Sequence, residues 1–156
     1  MTIWRTLALG MAVTVIAGVA HGVETAQTPS FDVAVSLSPA ATTRLAAAHE
    51  TIIVAANAYG MAIVHSHRHP DDMGQIDLGG QRVEISGAGV AHMRPMVYQT
   101  DVLDDVQDHK LIVLVNVFSG RHSSPDNLLD CGIFEDDVRI AARAPIQIRC
   151  KLIGEP

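Results

Sequence analysis

The sequence predicts a mainly β fold, an antiparallel β-sandwich (immunoglobulin- or cupredoxin-like) or small barrel, with two short helices. Three observations point there. Several runs alternate apolar and polar residues, the period of a half-buried strand. Glycine, proline, aspartate and serine break the chain at short intervals. The helical stretches are few and do not alternate regularly with the strands, which disfavours a parallel α/β sheet.

The N-terminus is read first because it changes the rest. "MTIWR" carries one base, Arg5, and is followed by the apolar run "TLALGMAVTVIAGVA" and then by small residues. That order is a secretory signal peptide, expected over residues 1–22, with cleavage after Ala20 or Gly22. A mobile polar leader is expected over residues 23–30 and a single sandwich domain over residues 31–156. The protein is then a soluble resident of the periplasm. The whole chain has a net charge of −6, and removing the signal makes it more acidic. Such a domain is a poor match for nucleic acid or an anionic membrane face. No segment after residue 22 is apolar for the roughly 20 residues a membrane span needs. The only tryptophan, Trp4, lies in the signal, so a stacking platform for sugars or bases is not expected.

"FDVAVSL" (31–37) alternates and reads as a strand. Ser38 and Pro39 then supply a helix cap and a first helical residue, starting an alanine-rich helix that runs to about His49. His49 suits a helix C-terminus because a cation there meets the negative end of the dipole. "ETIIVAANAYG" (50–60) reads as a strand ending in a tight turn at Tyr59–Gly60, and "MAIVHSH" (61–67) as the next. "GQIDL", a Gly79–Gly80 turn and "QRVEISG" read as a hairpin. "GVAHM" and "MVYQT" add short strands. "KLIVLVNVFSG" (110–120), almost continuously apolar, reads as a central strand covered on both faces. "RHSSPDNLLDCG" is a loop in which Ser124–Pro125 can start one helical turn. "IFEDDVRIAARA" has helical spacing, with Phe134, Val138 and Ala142 on one face, and Pro145 ends it. "IQIRCKLI" is the last strand. Cys131 and Cys150 are the only cysteines. In an oxidising compartment they are expected to form a disulfide worth roughly 3 kcal/mol, tying the last strand to a loop or helix start.

The stretch with most chemistry is "AIVHSHRHPDDM". On a strand His65, His67 and His69 would present three imidazoles on one face, and imidazole suits zinc, copper, nickel and iron. Asp71, Asp72, Met73, His92, Met93 and Met96 are further donors nearby in sequence, and imidazole with thioether favours copper. The competing reading is a solvated polar loop with charge-compensated histidines. "GMAIVHSHRHPD" resembles the first cupin motif, which implies a β-barrel in which His65 and His67 are ligands and Asp71 replaces the usual glutamate. The glycine spacings differ by one residue, and "GRHSSPDN" offers His122 and Asn127 without the proline–glycine pattern of the second motif. In size, export signal and His/Met content the chain also resembles periplasmic copper chaperones of cupredoxin-like fold, although their His-x-Met is here the adjacent pair His92–Met93.

Arg121, His122, Asp126 and Asn127 mark a second candidate functional loop after the strongest strand. A serine nucleophile with His122 as base can be written there, but no G-x-S-x-G elbow is present, and serine and asparagine in such a loop equally cap its turns. The sequence therefore supports three expectations. The first is a non-enzymatic periplasmic binding protein, with copper or zinc held by His65, His67 and His69 and completed by His92, Met93 or Met96. The second is an envelope interaction or structural domain with no small ligand, whose partner is another envelope protein. The third is a cupin-like metalloenzyme.

Overall fold

A computed structural model describes residues 22–156, so the expected signal peptide lies outside the described residues except for Gly22. The strands are β1 (Thr25–Gln27), β2 (Phe31–Leu37), β3 (Ile52–Ala62), β4 (Gln75–Ile85), β5 (Gly89–Met93), β6 (Val97–Gln99), β7 (Val106–Ser119), β8 (Leu129–Cys131), β9 (Phe134–Asp137) and β10 (Ile146–Leu152). Helix α1 (Pro39–Ala48) follows β2, a 3-10 stretch (Thr100–Asp105) precedes β7, and a single turn, α2 (Val138–Ala141), follows β9. One sheet has the order β5-β2-β10-β8 and the other β4-β3-β7-β9, while β1 and β6 form a separate ribbon. Neighbouring strands are antiparallel except β2 and β10, which run parallel from Val33↔Ile146 to Leu37↔Cys150. The two four-stranded sheets face each other as a sandwich.

The alternation seen in the sequence builds the core. Phe31, Val33 and Val35 of β2 with Ile146, Ile148 and Cys150 of β10 face Ile52, Val54 and Ala56 of β3 and Val113, Val115 and Val117 of β7. The outward residues between them are half-buried or exposed: Asp32 and Ala34 are half-buried, Ser36, Gln147 and Arg149 exposed. Helix α1 starts where its cap predicts: Ser38 Oγ accepts from Ala41 N at 3.0 Å and Pro39 takes the first position. It ends at His49, which is the C-cap, in the left-handed region at φ 51°. Its N–H and that of Glu50 fold back onto Ala46 O and Leu45 O. The disulfide joins Cys131 to Cys150, which are direct cross-strand partners on β8 and β10.

The other differences from the sequence reading share one cause: tertiary pairing overrode local punctuation. Gly60 is no turn. Strand β3 runs straight through it, and a Cβ there would fall inside the Val106 side chain, so glycine is needed for close packing. Consequently residues 63–67 are a loop rather than a strand. Gly79–Gly80 is no hairpin either. Strand β4 continues through it, with Leu78 and Gly79 together opposing Ala58, a β-bulge with Gly79 at φ 94°. A side chain at Gly80 would strike Asn57. Residues 134–137 pair with Ile112–Val115 of β7 as strand β9, and the Asp137 carboxylate caps only the short turn after it. Strand β7 is central but buried on one face and half-exposed on the other. The segment expected to be a mobile leader contains β1, and Thr28 is buried with its N–H donating to Met96 O. No helical turn forms at Ser124–Pro125.

Gly60→Ala is expected to lower the free energy of unfolding by about 2 kcal/mol through overpacking against Val106. At an unhindered turn the same change would be neutral or stabilising. Urea unfolding of the two proteins separates these outcomes.

Candidate functional site

The histidine run occupies the loop between β3 and β4, residues 63–74, and its backbone is tied down along its length. Ile63 N donates to Asp105 O at 2.9 Å and His67 N to Asp105 Oδ1 at 2.6 Å. Arg68 donates to Asp101 Oδ1 at 2.9 Å and lies 3.6 Å from Asp105 Oδ2. Ser66 N donates to Ile63 O, which makes Val64 and His65 the central pair of a turn. Further along, Asp71 Oδ1 accepts from Met73 N and Gln75 N, and Ala62 N donates to Gly74 O. Asp105 is itself buried, at 6% exposure, in the 3-10 stretch before β7. Its carboxylate takes the His67 N–H and its backbone carbonyl the Ile63 N–H, so one residue holds the loop at two points.

On this frame His65, His67 and His69 are all exposed. Because their segment is not a strand, the argument that alternate residues share a face does not apply. The residues expected to complete a metal site lie elsewhere. His92 is on β5 of the opposite sheet, with Nδ1 2.8 Å from Oδ1 of its cross-strand partner Asp32. Met93 and Met96 are 1% and 8% exposed and belong to the hydrophobic core. Their thioethers are packing groups here, which removes them as donors alongside the loop histidines. Among the described residues no three His, Cys, Asp or Glu side chains come together so as to hold a metal ion. The barrel and paired ligand strands implied by the cupin resemblance are likewise not formed: the sheets are open, and His65 and His67 sit on a loop. Two large apolar side chains stand out instead. Val64 is 92% and Met73 72% exposed, both on the pinned loop, and Ile63 beside them is also exposed.

The second candidate loop is organised by a residue that the sequence reading missed. Glu50, 3% exposed, follows α1 and leads into β3. Its carboxylate accepts from Thr51 N at 3.0 Å, His122 N at 3.2 Å, Ser123 N at 2.9 Å and Ser123 Oγ at 2.7 Å. Burial works to raise its pKa, but the bonds from Ser123, His122 and Thr51 outweigh it and bring the group down to about 2. Nothing in "AAHETI" signals this, because the partners lie about 70 residues away. The His122 ring is bonded to a different carboxylate, Glu84 Oε1, at 2.6 Å. That hydrogen bond and the charge of Glu84 raise the His122 pKa, and Thr51 and His122 lower that of Glu84. Ser123 and His122 thus serve separate acids, and Ser124 Oγ accepts from Asp126 N. No serine is set up as a nucleophile on His122. Arg121 lies over the Phe118 ring at 5.7 Å. Asn127 Oδ1 accepts from Ser119 N and Leu129 N while its Nδ2 donates to Leu129 O, which returns the chain to β8. Ser124 and Asn127 thus hold backbone groups of this loop. An open cleft of about 540 Å³ lies by the disulfide and is lined by Ser36, Arg149 and Lys151 among others. It brings together none of the histidines.

Glu50→Gln is expected to cost about 2 kcal/mol at pH 7, since all four bonds end on the carboxylate, two on each oxygen, and the amide removes the charge and replaces one of those acceptors with a donor. The folded pKa lies below the ordinary 4.5, so the carboxylate's contribution is complete above pH 4.5 and disappears as pH falls towards 2. The gap between wild type and variant should close over that interval in urea unfolding at pH 7, 4 and 2.5. A gap independent of pH would rule out a charged clamp.

No protein-family model matches this chain, and no characterised protein or solved structure does either, so function is read from the residues themselves.

Proposed function

We propose that this protein is an exported, non-catalytic binding domain that meets a protein partner in the bacterial envelope through the loop of residues 63–74. The observation that carries the reading is the exposure of Val64 and Met73 on a loop whose backbone is held by Asp105 and Asp71. Scattered exposed apolar residues are ordinary, but several on one pinned loop are the make-up of a contact surface. A backbone already ordered before binding loses less entropy on association. The exposed imidazoles of His65, His67 and His69 on the same loop supply polar contacts. The rival enzyme reading lacks support at the second loop, where Ser123 and His122 are each engaged with a separate carboxylate.

The test uses the full chain expressed in a bacterial host that carries its native partners. A photo-reactive amino acid at position 64 is expected to give a discrete adduct, and one at Gln147 on the far sheet is not. Met73→Asp should abolish the adduct while leaving the fold intact by circular dichroism. Equal labelling from both positions, or none from position 64, would overturn the reading. Mass determination of the secreted form tests export, with the mature chain beginning at His21 or Val23.

A second reading is favoured by one further observation: three imidazoles and one thioether, that of Met73, are exposed on the same loop. In this reading copper or zinc is captured by His65, His67 and His69, with Met73 taking the place first given to Met93 and Met96. The wild type then binds one equivalent of metal against a competing chelator and the His65/His67/His69→Ala variant binds none. Binding that survives the triple substitution would end this reading and leave the protein-contact reading in place.

A further inference from the structure

A cleft of about 430 Å³ opens between the histidine loop and the outer face of the β4-β3-β7-β9 sheet. Asn57, Tyr59 and Leu114 line it from the sheet, Asp77 from β4, and His69 and Asp71 from the loop. Its volume is within the range of small-ligand sites. Interruptions of the ladders flank it. On the β4 side Leu78 and Gly79 bulge opposite Ala58. On the β7 side the stretch from Gln107 to Lys110 stands against the single residue Met61, with Asp108 and His109 both at positive φ. Bulges of this kind re-aim side chains and gather beside binding sites.

The chemistry of the lining selects the occupant. No lysine or arginine lines the cleft. Asp71 Oδ1 and Asp77 Oδ1 each accept backbone N–H groups, and among the described residues neither Oδ2 has a hydrogen-bond partner. The Tyr59 hydroxyl is committed to Glu135, outside the lining, and the residue is 7% exposed, so what it offers the cleft is the small accessible part of its ring. An anion would meet two carboxylates. A bare metal ion would lack a coordination sphere, since no three suitable donors converge. We infer that this cleft receives an organic cation, an alkylammonium or guanidinium group, whose charge lies between Asp71 and Asp77 and whose stem packs on Leu114 and the Tyr59 ring. Acceptors at Asn57 and the two aspartates match the three donors of an ammonium, and the aromatic face adds a cation–π contribution. The cation is either a free amine or a lysine or arginine side chain of the partner proposed above. Only that second source rests on the partner reading.

The experiment is an amide-resolved NMR titration of the mature chain at pH 7.5 with n-pentylamine, with N-acetyl-lysine methylamide and with n-pentanol as the neutral control. Both amines are expected to give saturable shifts at Gln75, Asp77 and the Asn57 side-chain amide in the tens of millimolar or below, and pentanol is not. Asp77→Asn, which keeps the Oδ1 acceptor for Gly79 N, should weaken amine binding by about threefold to fivefold, as expected for one open-sited charge. Raising the salt concentration should weaken it as well. Tighter binding of the lysine derivative would identify a protein side chain as the occupant, and tighter binding of pentylamine a free amine. Shifts that do not saturate, that pentanol reproduces, or that Asp77→Asn and salt leave unchanged would overturn the inference. Asp77→Asn leaves Val64 and Met73 in place, so position-64 labelling of that variant succeeds or fails independently of amine binding.

Discussion

Two buried carboxylates close the two ends of the β3–β7 ladder, and much of the remaining structure hangs on them. That ladder is the longest among the described residues, running from Ile52↔Ser119 to Ala62↔Val106. At one end Glu50, just before β3, gathers the backbone of the loop that leaves β7. At the other end Asp105, just before β7, gathers the backbone of the loop that leaves β3. Each acid therefore lies at the start of one strand and holds the exit of its neighbour. A sheet end would otherwise leave backbone N–H groups without partners as the strands diverge; the Glu50 carboxylate accepts three of them, while Asp105 accepts one on its carboxylate and one on its backbone carbonyl.

The consequence for function is a division between ordered backbone and free side chains. The loops at both ends have their main chain bound, so their exposed groups project from a defined frame. At the Glu50 end those groups are consumed internally: His122 goes to Glu84, Ser123 to Glu50 and Asn127 to the return strand. At the Asp105 end they are not, and Val64, Met73 and the three histidines face solvent. The asymmetry between two similarly built ends is what directs the functional reading to the histidine loop and the cleft beside it.

Much of the framework was legible in the sequence because its signals are local. The alternation of Phe31, Val33 and Val35, the Ser38–Pro39 cap, the last strand and the Cys131–Cys150 pair all follow from periodicity, capping and composition. Glycine misled because two opposite needs produce the same residue. Gly60 and Gly80 make room for a neighbouring side chain within a strand, whereas a turn uses glycine for its backbone freedom. Phe134 and Val138 have helical spacing, yet Phe134–Asp137 pairs with β7 as a strand. The candidate site was legible only as a list of donors. Met93 and Met96 stand near the histidines in sequence, but β5 and the segment after it turn them into the core. Glu50 and Asp105 were invisible because what they hold is backbone, which has no signature in sequence.

The parallel pairing of β2 with β10 sets the order in which the molecule can be completed. Strand β10 is inserted between β2 and β8, so the half of the sandwich that contains them has a gap until the last strand arrives, more than a hundred residues after β2. Contacts of such sequence separation form slowly because a long loop must close first. A chain emerging N-terminus first from a ribosome thus cannot complete this sheet before β10 has appeared. Cys150 lies on that same strand, directly opposite Cys131, so the covalent bond fixes the register of the strand that completes the sheet.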